Sequence, residues 1–257
     1  MDSCVDTKPV FRLQPEDGPS FERHGARRNS RWLLVCDHAR NRVPRCLGDM
    51  GVAAPEFERH LAYDIGAEGV TRHLADLLDA PALIHGFTRL ALDPNRQLND
   101  PALMPPVSDG VVIPANRHIS HEEQQARIDA LFRPYHLAIA DALSAVRMRG
   151  ELPILLSIHS FTPEMDGFKR PWQVGVLWDR DKRLAAPFIK ALEEEGLVVG
   201  DNEPYSRQSY RTYTVESHAE DLGLPNLLVE VRQDLIETEA QQKAWAERLF
   251  KALPKEV

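Results

Sequence analysis

Cysteine is scarce in this chain of 257 residues: Cys4, Cys36 and Cys46 are all it has, and no two stand in CxxC spacing. An odd, scattered set offers no disulfide framework and reads most simply as reduced thiols in a cytoplasm, the expected compartment. Positive charge is short as well. Lys and Arg number 31 against 39 Asp and Glu, a net charge of -8, which argues against a nucleic-acid partner because phosphate binding requires a basic face. The basic residues cluster once, in "ERHGARRNSR" (Glu22 to Arg31), which reads as a solvated lead-in rather than a binding patch. Long apolar runs are missing too. None approaches the roughly 18 residues of a membrane span, and "MDSCVDTKPVFRLQPEDGPS" at the start holds no segment of signal-peptide length, so no membrane partner is expected. With no internal repeat, low-complexity tract or linker, the reading is a partly irregular lead-in over 1–30 and a single domain over 31–257.

The chain does contain the ordinary globular proportions, 43% hydrophobic and 27% charged. Its apolar runs are short: "WLLVCD" (32–37), "PALIHG" (81–86), "LPILLSIHS" (152–160), "WQVGVLW" (172–178) and "NLLVEVR" (226–232) each read as a buried strand. Helical patterns alternate with them. Residues 66–79 put Val70, Leu74, Leu77 and Leu78 on one face. A longer helix opens at a capping box, Ser120 with Glu123, and runs through Ile128, Leu131, Leu137 and Leu143 to about Arg149, with a kink expected at Pro134. Residues 183–196 and 238–253 complete the set. Alternation of this kind predicts an α/β fold, a single mixed and mainly parallel sheet with helices on both faces. The Pro-rich segment from Pro101 to Ile119 reads as a long ordered loop.

Two strands deliver histidines, His38 after "LLVCD" and His159 within "LPILLSIHS". In a parallel sheet both can finish at one edge and meet in one crevice. A third strand buries Glu230 between Val229 and Val231, where an unpaired carboxylate is costly; it points to a cation, a metal or a proton-handling role. Two imidazoles with one oxygen ligand are the usual donors of a catalytic zinc site, and a nearby carboxylate suits a general base. Taken singly, a strand-end histidine is more often a satisfied polar residue; two of them with a buried Glu make the site reading its equal. The remaining histidines lack comparable context and read as structural or surface residues, His60 fitting that least. In "FTRLALDPNRQLND", Arg89, Asp93, Asn95 and Arg96 offer an arginine fork beside an asparagine, suited to gripping a carboxylate. An internal Arg96–Asp93 pair is the alternative.

Assembled, these motifs resemble the N-formylglutamate amidohydrolase family, related in fold to zinc carboxypeptidases and aspartoacylase. The resemblance runs from about Arg31 to about Leu249 on landmarks in order: "VCDHARNRVP", "HLAYDIGAEGVTRHLA", "FTRLALDPNRQLND", "SDGVVIPANR", "SIHSFTP" and "YTVESHAEDLGLPNLLVEVRQDLI". It implies a zinc carboxypeptidase-like fold and one zinc ion, with His38 and His159 matching the two metal histidines and Glu230 the base. Asn95 and Arg96 match the pair that holds the substrate carboxylate, with Arg89 beside them. Where the wider group has His-x-x-Glu, this chain reads His38-Ala39-Arg40-Asn41. Asn41 therefore stands at the middle ligand position, and Asp64 or Asp37 is the substitute oxygen donor. His218 matches a landmark that implies a hydrogen bond to substrate or to the developing oxyanion, with Tyr213 on the same wall; a helix-start histidine near Glu220 and Asp221 is the other reading.

The implied reaction is hydrolysis of an N-acyl amino acid, N-formyl-L-glutamate giving formate and glutamate, a late step of histidine breakdown. Two alternatives remain at this stage. One is a metal-free relative serving as a binding or regulatory module for a carboxylated small molecule. The other is a nucleophilic Cys36, set against by its place inside an apolar run.

Overall fold

The computed structural model describes residues 11–205 and 212–255. All five apolar runs form strands: β2 (Trp32–Cys36), β3 (Ala82–His85), β6 (Ile154–Phe161), β9 (Val174–Leu177) and β11 (Asn226–Arg232). Two further strands, β1 (Phe21–His24) and β10 (Val199–Asp201), complete a seven-stranded sheet in the order β1-β3-β2-β6-β11-β9-β10. The strands from β3 to β11 are parallel, as are β9 and β10, while β1 runs antiparallel to β3 and β9 antiparallel to β11. β6 lies in the middle, every residue buried, which is why its sequence, ILLSIHSF, is mostly apolar. The strand β1 falls inside the stretch read as a solvated lead-in. Three of its residues, Glu22, Arg23 and His24, are polar because it is an edge strand, and Glu22 binds Arg40 and Arg72.

Helices cover both faces, as the alternation predicted. On one face α1 (Ala67–Leu77), α4 (Ala185–Glu194) and α6 (Glu239–Ala252) pack Val70, Leu74, Phe188, Trp245 and Leu249 against the sheet. On the other, α3 (Arg133–Met148) and α5 (Thr214–His218) bring Tyr135, Ile139, Leu143 and Val215 onto Leu33, Val35 and Leu155. Leu77 and Leu137, expected inside, are 41% and 63% exposed; the buried stripes run instead through Thr71 and Ala75 in α1 and through Tyr135 and Ala138 in α3. The helix opening at the Ser120 cap is α2 (His121–Arg127). A π-helical segment, Ile128–Phe132, joins it to α3, and Pro134 sits in the first turn of α3. The irregularity therefore precedes the proline, which needs no N–H partner there.

The long loop is ordered. It contains the hairpin β4 (Val107–Ser108) and β5 (Val111–Val112), turned at Asp109 and Gly110 with φ of 47° and 74°, the left-handed pair of a tight two-residue turn. A second hairpin, β7 (Glu164–Met165) with β8 (Phe168–Lys169), follows the end of β6. Among the described residues no helix is long and apolar enough to cross a membrane.

Candidate active site

The parallel neighbours β2, β6 and β11 end at one edge of the sheet, and each contributes there. Asp37 and His38 follow β2, His159 stands near the end of β6, and Glu230 on β11 is its direct register partner. Asp64 arrives from the loop before α1, fixed by its own backbone N–H donating to the His38 carbonyl at 2.8 Å. All five are buried.

Asp64 Oδ2 lies 2.7 Å from His159 Nδ1 and 3.3 Å from His38 Nδ1. One ligand atom from each of His38, Asp64 and His159 falls within 4.8 Å of the others. The opposite ring nitrogens face carboxylates: His38 Nε2 donates to Asp93 Oδ1 at 2.7 Å, and His159 Nε2 lies 3.4 Å from Asp37 Oδ2. Asp37 is itself held by the Tyr135 hydroxyl at 2.8 Å and the Thr214 hydroxyl at 3.0 Å. Two imidazoles presenting Nδ1 to a shared carboxylate, with Asp93 and Asp37 near their other nitrogens, are a donor set that could hold a metal ion such as zinc. The residues therefore fit one such ion.

Charge is distributed to match. Burial pushes the His159 imidazole down, but its contacts with Asp37 and Asp64 outweigh this and hold it well above the usual range. Burial and Arg89 push His38 down; Asp93 and Asp64 bring it above its ordinary value. Burial raises Asp64 and Asp93, yet the histidines, together with Arg89 at Asp93, keep both carboxylates below the usual range. Glu230 differs. Burial dominates, His159 opposes it only partly, and its carboxyl is raised to about 7. Its Oε2 is buried without a hydrogen-bond partner. A carboxyl poised near neutrality beside permanently ionised ones is the pattern of an acid–base residue.

These groups line one cavity of about 340 Å³, together with Arg89, Asn95 and Arg96. Arg89 bridges Asp64 Oδ1 at 3.2 Å and Asp93 Oδ2 at 3.1 Å. Arg96 reaches Asp93 Oδ2 at 3.5 Å and Asp100 Oδ2 at 3.7 Å, so the internal Arg96–Asp93 pair exists alongside its exposure to the cavity. Asn95 Oδ1 accepts from the backbone N–H groups of Tyr213 and Thr214, each at 3.0 Å.

Three expected site residues stand elsewhere. Asn41 corrects the spacing argument: its amide donates to the Phe57 carbonyl at 2.9 Å and to Glu58 at 3.2 Å, and Asp64 occupies the ligand group instead. His218 and Tyr213 do not line the cavity. His218 Nε2 lies 3.0 Å from His136 Nδ1 with the rings stacked, and Tyr213 packs edge-on to His136. His136 Nε2 donates to the Pro94 carbonyl at 2.9 Å, so these aromatics support the turn that carries Asp93 to Arg96 from behind. Asp93 as the partner of His38 was not foreseen, since the two are 55 residues apart and only the proximity of Asp93 to Asn95 and Arg96 signalled it. His60, read as structural, lines the cavity with Nε2 3.6 Å from Asp109 on the β4–β5 hairpin. Cys36 is fully buried, and that burial raises its thiol well above the ordinary value, which makes it inert.

Compared with known proteins, the chain matches the N-formylglutamate amidohydrolase family model over residues 30–237. Among solved structures it is similar to the gene product Atu2144 of Agrobacterium tumefaciens, with 34% identity and a TM-score of 0.90 over 93% of this chain and 97% of that one. An N-formylglutamate amidohydrolase from Ralstonia eutropha is similar at 21% identity and a TM-score of 0.64, over 90% and 96% of the two chains. An aspartoacylase family protein from Mesorhizobium loti is more distant, at 13% identity and a TM-score of 0.35, over 89% of this chain and 60% of that one. No curated protein matches.

Proposed function

This chain belongs to the N-formylglutamate amidohydrolase family, a family of amide hydrolases, and from that premise we propose that it hydrolyses an N-acyl amino acid, N-formyl-L-glutamate, to formate and glutamate with one zinc ion. The observation that carries the reading is Glu230: a buried carboxyl in register with His159, facing the cavity with an unpartnered oxygen beside the His38–Asp64–His159 donor group. When bound there, the metal supplies Lewis acidity to the acyl carbonyl and makes water a better nucleophile.

The chain's own residues do the rest. His38 and His159 keep Nδ1 turned inward because the Nε2 of His38 is held by Asp93 and that of His159 by the Ser157 hydroxyl at 3.1 Å, with Asp37 3.4 Å away. Arg96 and Asn95 hold a substrate carboxylate at the cavity wall and orient the amide. Glu230 takes a proton from the attacking water as its oxygen bonds to the acyl carbon. It then returns that proton to the amine nitrogen as the C–N bond breaks. With formate and glutamate as products, the reaction suits a late step of histidine breakdown.

The test is formate release from N-formyl-L-glutamate by zinc-loaded protein, beside N-acetyl-L-glutamate and N-formyl-L-leucine. Stoichiometric formate and glutamate are expected. A metal-loaded protein that binds these compounds and releases no acid would overturn the reading in favour of a binding module.

A further inference from the structure

Arg170 is 7% exposed, and it sits where β6 has ended and the β7–β8 hairpin returns to the sheet. Its Nη1 donates to the Thr162 carbonyl at 3.2 Å, the Thr162 hydroxyl at 2.9 Å and the Tyr205 hydroxyl at 3.3 Å, and Nη2 lies 3.1 Å from Met165 Sδ. The guanidinium also stands over the rings of Phe161 and Tyr205, at 5.7 and 5.0 Å. Every one of these partners is neutral, and no described carboxylate forms an ion pair with it. Other arginines differ: the buried Arg127 carries Glu123 at 2.5 Å, and the half-buried Arg89 carries both Asp64 and Asp93. A guanidinium removed from water without an anion is costly, so its charge calls for one from outside the chain.

The way to it opens from the cavity. Tyr205 and Met165, the two side chains against the Nη atoms, line the same cavity as His159 and Glu230. The Tyr205 hydroxyl accepts from Arg170, so its own proton is free to donate to a ligand, with a full positive charge behind it. Arg89 and Arg96, by contrast, are already shared with Asp64, Asp93 and Asp100.

Resting on the hydrolase reading above, we propose that Arg170 and Tyr205 form a second anion subsite, separate from Asn95–Arg96, which selects N-acyl amino acids bearing a second carboxylate on the side chain. The span agrees. Thr162, which Arg170 grips, lies three residues beyond His159, roughly 10 Å along an extended chain. The acyl carbon and side-chain carboxylate of an extended N-formylglutamate are roughly 6 Å apart, and a hydrogen bond adds about 3 Å.

The experiment compares N-formyl-L-glutamate with its uncharged isostere N-formyl-L-glutamine on the zinc-loaded full chain. The wild type is expected to favour glutamate by about 100-fold in kcat/KM, the range of hydrogen bonds to a charged group. R170M should collapse that ratio to within about threefold of one, and R170K should restore part of it. A structural role would lower both substrates together and keep the ratio, which overturns the proposal. Should R170M fail to fold, Y205F serves: the ratio is expected to fall about tenfold, and an unchanged ratio overturns the subsite. Glutarate titrated by calorimetry separates the two claims. A protein that hydrolyses neither amide but loses glutarate affinity about tenfold in R170M keeps the subsite and loses the hydrolase. A wild type that hydrolyses both amides alike loses the subsite and keeps the hydrolase.

Discussion

Replacing Glu230 by Gln removes one titratable group from the cavity and should move stability and activity in opposite directions. The carboxyl rises from an ordinary 4.5 to about 7 in the fold. At about 1.4 kcal/mol for each tenfold change in proton affinity, this amounts to roughly 3 kcal/mol. The sign follows from proton counting. Between 4.5 and about 7 the folded chain holds the proton that the unfolded chain has released, so stability is lost as pH rises through that window and the full cost applies above it. Glutamine has no such dependence. In metal-stripped protein, E230Q should gain over wild type by roughly 2 kcal/mol more at about pH 8.5 than at about pH 5.5. That corresponds to roughly 4–8 °C in Tm for a chain of this size. The same variant should lose about 100- to 10,000-fold in kcat, the span of a general base. Differential scanning calorimetry at the two pH values and formate release on the loaded protein read both effects. A variant with near-normal kcat, or one whose stability differs from wild type equally at both pH values, would refute the reasoning.

Other consequences are as direct. Asp93→Asn leaves His38 Nε2 without its carboxylate, and zinc affinity measured against a competing chelator should weaken about 10- to 100-fold; unchanged affinity removes Asp93 from the site's support. Burial holds the imidazoles of His85 and His136 down at about 4 and about 3. Folded chains therefore resist protonating them while unfolded chains do not. Stability should fall as pH drops from about 6.5 towards 4, by roughly 3 kcal/mol for His85 alone. Urea midpoints across that range measure it, and H85Q should show a shallower fall. Cys36 should escape alkylation in the folded protein while the exposed Cys46 reacts, and peptide mapping after iodoacetamide treatment distinguishes them; a labelled Cys36 with loss of activity would revive the thiol mechanism.

The central strands were legible because they are buried on both faces, which leaves little but Leu, Ile and Val in β6 and β11. The polar residues interrupting those runs, His38, His159 and Glu230, were legible for the same reason: nothing in an apolar strand accounts for them. β1 and β10 were not. FERH holds its place by pairing with β3 at the sheet edge, and β10 is three residues long with Gly200 at its centre. Asn41 misled because motif spacing counts along the chain, whereas Asp64 reaches the site through a backbone bond to His38. His218 marked the right neighbourhood but not its side, since a landmark does not say whether a ring faces the cavity or stacks on His136 behind it. Arg170 gave no signal because its meaning lies in having no ion pair with any described carboxylate, which only the fold reveals.

The claim on which the account rests is that His38, Asp64 and His159 hold a metal ion beside Glu230. Elemental mass spectrometry of untagged protein, purified without chelator, tests it. Close to one zinc per chain is expected, lost when His38, Asp64 or His159 is replaced by Ala. No metal, even after incubation with zinc, would contradict it.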